Sequence, residues 1–500
     1  MNKIIKGLLI VAVILGVQNL AAYTNKTFMQ PRNQALVNMP LLKTTWCERI
    51  NAPLEDRFGG NFQVVGFYGQ NLKKSDTGKY FGTLEKNSFS LKGADNQAAI
   101  EAGEKTSTVA DVDAAYIIHS MADNAATNLT LKLDPQSTSY GVDLAYHQDL
   151  SKIVNGLYLK VILPIQHVEN DPKLSVTQTA ASANGILAAT NFVSYFKGDY
   201  VGAGANEQAK LTKGKINGKQ SATGVADIDV ALGYNFLKKE SYHVGINLGL
   251  SIPTGKEPTG DYMFEPVYGT KHFGLGGGLY AGARIWGDAD HNFKLAFAAN
   301  YRYLFKASEK RYPGINNRNF GQYYLLAKHG VAMNGQKLTP AANLLTQDLD
   351  ITPGSQLDGI LGLAYNKGGF NIDLGYNLYF RESESVKLKN GWTEQTYGVI
   401  SRTAKADSAQ LAGADHQDAR FDDKGRVAVA ATTMIAKSGL DTSAASTESQ
   451  FTHSIYGGLG YAFKEWEYPL MLGLGGKYEF ASKNSALEGW QGWLKAGLSF

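Results

Sequence analysis

Cysteine and long apolar runs are both scarce in this chain of 500 residues. Its single cysteine, Cys47, has no partner for an intramolecular disulfide, so a disulfide-stapled fold is excluded. Beyond residue 22 the chain contains no run of roughly 18 apolar residues, so this part cannot cross a membrane as an α-helix. Charge is sparse too, because charged residues make up 19% and the formal net charge is +4. That balance gives no case for a nucleic-acid partner.

Glycine and aromatic residues are abundant by contrast. The chain has 55 glycines against 13 prolines, together with 27 tyrosines and 22 phenylalanines. This composition suits β-strands and tight turns rather than helices. The length exceeds that of a typical single soluble domain, but it fits one large barrel with long loops.

The N-terminus has the three parts of a secretory signal peptide. Lys3 and Lys6 are the positive residues, an apolar stretch covers 8–17, and small residues for cleavage follow at 19–22. The apolar stretch is only about half of the ~20 residues that a transmembrane helix needs. We therefore expect residues 1–22 to be a signal peptide, 23–59 an N-terminal extension, and 60–500 the main domain.

Apolar side chains recur at every second position in many segments of the main domain. The pattern is clearest at 242–252, where six apolar residues alternate with His, Gly, Asn and Ser. Twelve segments show it: 62–69, 140–150, 154–165, 226–236, 242–252, 272–286, 291–305, 356–366, 369–380, 451–463, 468–480 and 490–500. A strand that separates lipid from a polar lumen requires this alternation. The pattern predicts about 12 transmembrane strands and is compatible with 10 to 14.

The connections between these segments alternate in length. Long connections cover 70–139, 166–225, 253–271, 306–355 and 381–450, whereas the intervening turns are a few residues long. Outer-membrane barrels have short periplasmic turns, long external loops and an even number of strands. A soluble β-sandwich has no reason to lengthen every second connection. The sequence therefore predicts an all-β protein, a transmembrane antiparallel up-and-down β-barrel in the cell outer membrane.

The last segment carries a more specific signal. Trp490, Leu494, Leu498 and Phe500 share one face of the final strand. With the leader and the alternating segments, this ending resembles the Gram-negative outer-membrane β-barrel proteins of the porin and transporter type. The resemblance implies that Phe500 is the assembly signal, and that the partners are outer-membrane lipid and the barrel-assembly machinery. The run 251–256 (SIPTGK) also resembles a strand-to-loop junction of fatty-acid-type and aromatic-degradation barrel transporters.

The inward positions of the predicted strands are polar, with acidic and basic residues in balance, which indicates no simple charge selectivity. The candidate lumen-lining residues are Asp143, Lys160, Asp227, Asp229, Arg284, Lys294, Arg302, Asp358, Asp373 and Lys495. One interpretation is a polarised pore wall for small solutes. The other is that the charges pair across a filled lumen and stabilise it. The sequence leaves both open.

Three functions are compatible with these features. The first is a channel that passes small solutes by passive or weakly selective diffusion through a polar lumen. The second is a substrate-specific uptake barrel for apolar molecules, with residues 23–59 as a plug. The third is a surface adhesin or structural barrel. Catalysis is not expected, because His453 and Ser454 are neighbours and point to opposite faces of their strand. The sequence shows no motif for a cofactor or metal, and it leaves the solute and the oligomeric state open.

Overall fold

The computed structural model describes most of the chain beyond the predicted leader. The described residues are 25–32, 39–43, 59–83, 85–92, 111–119, 127–180, 186–202, 207–239, 241–328, 337–389, 391–394, 396–400, 418–421, 427–428 and 434–500. The predicted signal peptide and Cys47 lie outside them. Within the described part of the chain, no helix is long and apolar enough to cross a membrane.

Twelve antiparallel strands close into a barrel. They are β1 Gly60–Asn71, β2 Gln136–Asp149, β3 Leu157–Asp171, β4 Ile228–Lys238, β5 Tyr242–Ile252, β6 Gly274–Gly287, β7 His291–Leu304, β8 Gly354–Lys367, β9 Phe370–Arg381, β10 Gln450–Phe463, β11 Leu470–Ala481 and β12 Gly489–Ser499. Each strand pairs with its neighbours in sequence, and β1 pairs with β12 from Asn61↔Ser499 to Asn71↔Gly489 to close the sheet. Every predicted segment corresponds to one of these strands, so the twelve-stranded barrel is confirmed.

The outer surface of the barrel is apolar, as the alternation predicts. On β5, Ile246 and Leu248 are exposed while Gly245 and Ser251 between the outward positions are buried. Aromatic rings gather near the short turns, where the Phe293 and Tyr365 rings lie 4.9 Å apart. A closed barrel with an apolar band and an aromatic girdle is the structure that spans an outer membrane. The chain is therefore an outer-membrane β-barrel.

The long loops pack together above the barrel into one cap. Its core is aromatic, and Phe81, Phe196, Phe320 and Tyr323 are all fully buried in it. Three short helices belong to the cap, α2 Lys74–Phe81, α3 Ala189–Lys197 and α4 Ala341–Leu345, whereas α1 Met39–Lys43 lies in the lumen. The 3-10 turns of the cap are Ala114–Tyr116, Gly321–Tyr323, Lys437–Gly439 and Thr442–Ala445. The sequence predicted loops here and gave no sign of a shared core.

Short strands join the loops of the cap to one another. One sheet contains Ser88–Lys92, Val112–Asp113, Asn128–Leu133 and Leu174–Ala180; a second contains Ala307–Arg311, Gln347–Thr352 and Ser385–Leu388; a third contains Thr339–Pro340, Leu325–Lys328, Tyr397–Ile400, Asp418–Phe421 and Val427–Ala428; and Gly314–Ile315 pairs with Leu440–Asp441. One further strand, Gln220–Val225, pairs with the upper half of β3 and extends the barrel wall. The cap closes over the extracellular end of the lumen.

Candidate functional site

The described residues of the N-terminal extension lie in the cap, in the lumen and at the periplasmic rim. Its first described residues, 25–32, lie in the cap, where the Thr27 N–H donates to the Ala444 carbonyl oxygen at 2.9 Å. Helix α1 lies at mid-height in the lumen. Gly59 lies at the periplasmic rim, where its carbonyl oxygen accepts the Asp149 N–H at 2.8 Å. The described parts of the extension therefore occupy successive depths of the barrel from top to bottom, and we call residues 25–32 and 39–43 the plug.

A buried charge network holds the upper part of the plug. The Arg311 guanidinium donates to Glu384 Oε2 at 2.6 Å, to Glu309 Oε2 at 2.8 Å and to Gln30 Oε1 at 3.2 Å. Arg381 donates to the other Glu384 oxygen at 2.9 Å. Burial alone would raise the pKa of Glu384, but the charges of Arg311 and Arg381 outweigh it and lower that pKa to about 2. Gln30 is therefore held by the Arg311 guanidinium, whose carboxylate partner Glu384 stays ionised.

Arg32, two residues after Gln30, joins the plug to the barrel wall. Its guanidinium donates to Asp358 Oδ2 at 2.5 Å and to Glu479 Oε1 at 3.3 Å. The same group lies 3.9 Å from the centre of the Tyr379 ring. The Arg32 side chain is 8% exposed and that of Asp358 is fully buried. Removing one partner of such a pair leaves a buried charge without compensation.

Helix α1 packs against the middle of the lumen wall. Leu41 and Leu42 are buried in a cluster that includes Phe67 and Trp493. The Lys495 Nζ donates to the carbonyl oxygens of Leu41 and Leu42 at 3.2 and 3.3 Å. These carbonyls are in the last turn of a short helix, where a cation satisfies groups that the helix itself leaves unpaired. Lys495, predicted to line the lumen, does so by binding the plug.

A pocket remains on the opposite side of the lumen, between α1 and strands β3–β7. Its wall is made mostly of apolar and small residues: Met39, Lys160, Ile162, Asp229, Ala231, Asn247, Gly249, Gly276, Gly277, Tyr280, Asn300, Tyr301 and Arg302. Several of its polar groups bind one another. Arg302 pairs with Asp229 at 2.5 Å, and the Tyr280 hydroxyl donates to Asn300 Oδ1 at 2.5 Å. An apolar wall with a few oriented polar groups is typical of a small-molecule site.

Five of the predicted lumen residues take part in these two features. Lys160, Asp229 and Arg302 line the pocket, whereas Asp358 and Lys495 bind the plug. The structure thus brings together three residues that the sequence placed on separate strands, and it assigns the other two to the opposite side.

The remaining five lie elsewhere. Asp227 is buried beside the end of β4, and its carboxylate accepts the N–H groups of Gly255, Thr270 and Lys271, so it fixes a cap loop. Asp143 is fully buried on β2, and Asp373 is half-buried on β9. Arg284 and Lys294 lie near the periplasmic ends of β6 and β7, where Lys294 is exposed. A role in lining a pore stays a prediction for this group.

Arg32 is the main site residue that the sequence reasoning missed. Its partner Asp358 is 326 residues away in the chain, so no local pattern connects them. The sequence signal for it was a charged residue within an N-terminal extension that has no strand pattern. Gln30 and Glu384 were missed for the same reason.

The C-terminal residue closes the seam between the first and last strands. The Phe500 N–H donates to the Gly60 carbonyl oxygen at 3.0 Å, and the Gly60 N–H donates back at 2.8 Å. The Phe500 ring lies 6.4 Å from that of Tyr146 at the periplasmic end. This is the position that the strand count predicts, while its role as an assembly signal stays a prediction.

The expected orientation of His453 and Ser454 is confirmed. Ser454 is fully buried toward the lumen, whereas the His453 ring stacks on Phe480 at 5.1 Å and lies near Tyr376 on the outer face. The two side chains therefore do not form a nucleophile–base pair.

Comparison with known proteins gives one family match and several remote structural likenesses. A family model described as "Putative MetA-pathway of phenol degradation" matches residues 168–398, slightly under half of the chain. No curated protein matches significantly. An outer-membrane channel from Pseudomonas putida F1 is similar with 9% identity and a TM-score of 0.36, over 90% of this chain and 100% of that one. The Pseudomonas putida toluene transporter TodX has 9% identity and a TM-score of 0.31, over 96% and 95%.

A third solved structure, a FadL homologue from Pseudomonas aeruginosa, has 6% identity and a TM-score of 0.28, over 96% of this chain and 98% of that one. The strand pairings themselves define the barrel. The predicted resemblance to outer-membrane β-barrel proteins is confirmed by the closed twelve-stranded barrel.

Proposed function

We propose that this barrel is a substrate-specific uptake channel for small, mainly apolar molecules of the size of a single-ring aromatic compound. The observation that carries the proposal is the plug. Residues 25–32 and α1 occupy the cap and the lumen, and Arg32 and Lys495 bind them to the wall. A pore for passive diffusion of hydrophilic solutes needs an unobstructed aqueous path, so the plugged interpretation is favoured over the open one.

The pocket supports the apolar class of solute. Met39, Ile162 and Ala231 give it apolar surface. Because Arg302 and Asp229 form an ion pair, the pocket does not depend on a charged solute to neutralise either charge. The phenol-degradation family model and the toluene transporter concern the same class of compound.

Flux measurements on reconstituted protein test this proposal. Wild-type protein or a variant lacking residues 24–56 would be reconstituted into liposomes. The rates at which phenol, toluene and glucose enter these liposomes would then be compared. We expect wild-type protein to pass the aromatic compounds but not glucose, and the deletion variant to pass all three. Glucose entry through wild-type protein at the rate of the deletion variant would contradict the proposal. Empty liposomes correct for direct diffusion of the aromatic compounds through lipid.

A further inference from the structure

The second sheet of the cap, which we call the shoulder sheet, continues the barrel wall above β7–β9. It consists of Ala307–Arg311, Gln347–Thr352 and Ser385–Leu388. The first strand begins three residues after β7 ends, and the second ends two residues before β8 begins. Its inner face is buried against the cap through Leu349 and Ile351. The outer face is therefore directed away from the cap.

Lysines dominate that outer face. Lys306 Nζ lies 2.9 Å from Asp350 Oδ2, and Lys389 Nζ donates to Ser308 Oγ at 3.2 Å. Ser308 is opposite Asp350 in register, and Asp350 is opposite Lys387. Adjacent strands are about 4.8 Å apart, so the side chains of Lys306, Lys387 and Lys389 share one small area of the sheet that includes Asp350.

Cations outnumber carboxylates on this surface. Lys306, Lys310, Lys387 and Lys389 are all exposed, and the carboxylates on the same face are Asp348 and Asp350. On the adjoining loops, Glu382 contributes one further negative charge and Lys483 one further positive charge. This surface therefore carries a net positive charge, and its lysines are exposed to solvent. An anion with several oxygen acceptors would bind between the ammonium groups.

The depth of the lysines identifies the kind of anion. Lys306 follows Phe305 directly, and the exposed Phe305 ring lies 6.0 Å from Phe273 in the upper aromatic girdle. Below it, Tyr301 and Leu357 belong to the lipid-facing band. Headgroups occupy the layer of about 5–8 Å immediately outside the hydrocarbon core. The lysines therefore begin at headgroup level, directly above an apolar wall that accepts acyl chains.

We propose that the shoulder sheet binds the phosphate groups of a phosphorylated glycolipid in the outer leaflet, while the acyl chains of that lipid lie on the apolar wall of β7–β9. Clusters of basic residues beside a membrane recognise anionic lipid headgroups in this way. The proposal does not depend on the transported solute, because the sheet lies outside the lumen.

Lipid binding by matched lysine variants tests the proposal. The test variant is Lys306→Gln/Lys387→Gln/Lys389→Gln, and the control is Lys79→Gln/Lys86→Gln/Lys132→Gln, which removes three exposed, ion-paired lysines on the loop between β1 and β2. Detergent-solubilised protein is titrated with bis-phosphorylated lipid A, with its dephosphorylated form and with inorganic phosphate. Native mass spectrometry counts the bound lipid. An arginine version of the test variant keeps the charge.

We expect the test variant to bind phosphorylated lipid A at least tenfold more weakly than wild-type protein, the control and the arginine version. We expect the dephosphorylated lipid to bind all four equally weakly, and inorganic phosphate not to compete. Equal affinity of the test variant and wild type would overturn the proposal. So would full competition by inorganic phosphate, which would indicate an anion site without lipid recognition. Because all variants are compared by the same heat-modifiable mobility of the folded barrel, a folding defect is recognised separately.

Discussion

The two sides of the lumen wall differ in the size and charge of their inward residues. On the side formed by β8–β12, large or charged side chains such as Asp358, Tyr379, Glu479 and Lys495 project inward and bind the plug. On the side formed by β4–β6, many inward positions carry small residues, among them Ala231, Gly249 and Gly276, and a pocket remains. Both sides show the same two-residue alternation. The comparison teaches that alternation defines the barrel, whereas inward side-chain size decides where a molecule can pass.

The two sides also differ in what they contribute to stability. Buried charges on the plug side stabilise the protein only as complete pairs, because desolvation of a single charge costs several kcal/mol. Substitutions on the pocket side should cost little stability, because residues that face open space lose few packing contacts when they are substituted. Substitutions on the plug side should therefore alter stability and gating together, and substitutions on the pocket side should alter flux alone.

The largest effect is expected from Arg32→Ala. It leaves Asp358 buried without its ion-pair partner, while Glu479 keeps Lys477, and the loss for Asp358 costs about 3–5 kcal/mol of unfolding free energy. Urea unfolding in detergent measures the loss, and planar bilayer recording should show a new ion conductance. The exposed pair of Lys464 and Asp290 provides the control, since Lys464→Ala should cost at most about 1 kcal/mol. Unchanged stability and conductance for Arg32→Ala would contradict the claim that the buried charges of the plug side both stabilise the protein and keep the plug in place.

A smaller effect is expected from Leu41→Ala in α1. Leu41 is fully buried between plug and wall, so truncation should cost about 2–5 kcal/mol. Leu248→Ala is the matched control, because Leu248 is 62% exposed on the outer surface of the opposite side. The same urea experiment measures both variants. Equal losses for the two leucines would show that the plug does not pack as tightly as the wall contacts indicate.

On the pocket side, Gly249→Leu should reduce solute flux without loss of stability. A Cβ at Gly249 would meet no heavy atom nearer than 3.9 Å, so a larger side chain enters the pocket without backbone strain. We expect aromatic uptake to fall by roughly tenfold, because the leucine fills the space beside Ala231 and Gly276. Gly359→Leu is the control: its nearest contact is 4.0 Å, and it faces lipid between Leu357 and Leu361. Equal uptake by the two variants would place the solute path elsewhere.

The smallest effect is expected in the pH dependence of stability, through the buried charge network around Glu384. The pKa of Glu384 is lowered to about 2 from its ordinary value of 4.5. A lowered carboxyl pKa stabilises the folded state fully above pH 4.5, and this contribution is lost as the pH falls toward about 2. The difference in melting temperature between wild type and Glu384→Gln should stay constant from about pH 8 to pH 5 and then narrow. A difference in melting temperature that already narrows near pH 7 would contradict the lowered pKa of Glu384.

Much of the fold, but little of the site, could be predicted from the sequence. Lipid on one face and a polar lumen on the other impose a local rule on every strand, so the twelve segments and the position of Phe500 could be read from neighbouring residues. The plug has no such rule. Arg32 meets Asp358 only after the barrel has closed, and the cap core around Phe320 joins loops that show no periodicity. For the extension, the sequence offered a plug only as part of one of three possible functions and did not predict its contacts.

The most direct test of the account compares ion conductance with aromatic uptake in one reconstituted preparation. Wild-type protein should show no steady ion conductance in planar bilayers while liposomes of the same preparation take up toluene faster than protein-free liposomes. The variant lacking residues 24–56 should conduct ions. Steady conductance of wild-type protein, unchanged by the deletion and without faster toluene uptake, would contradict the claim that a plugged lumen carries apolar molecules.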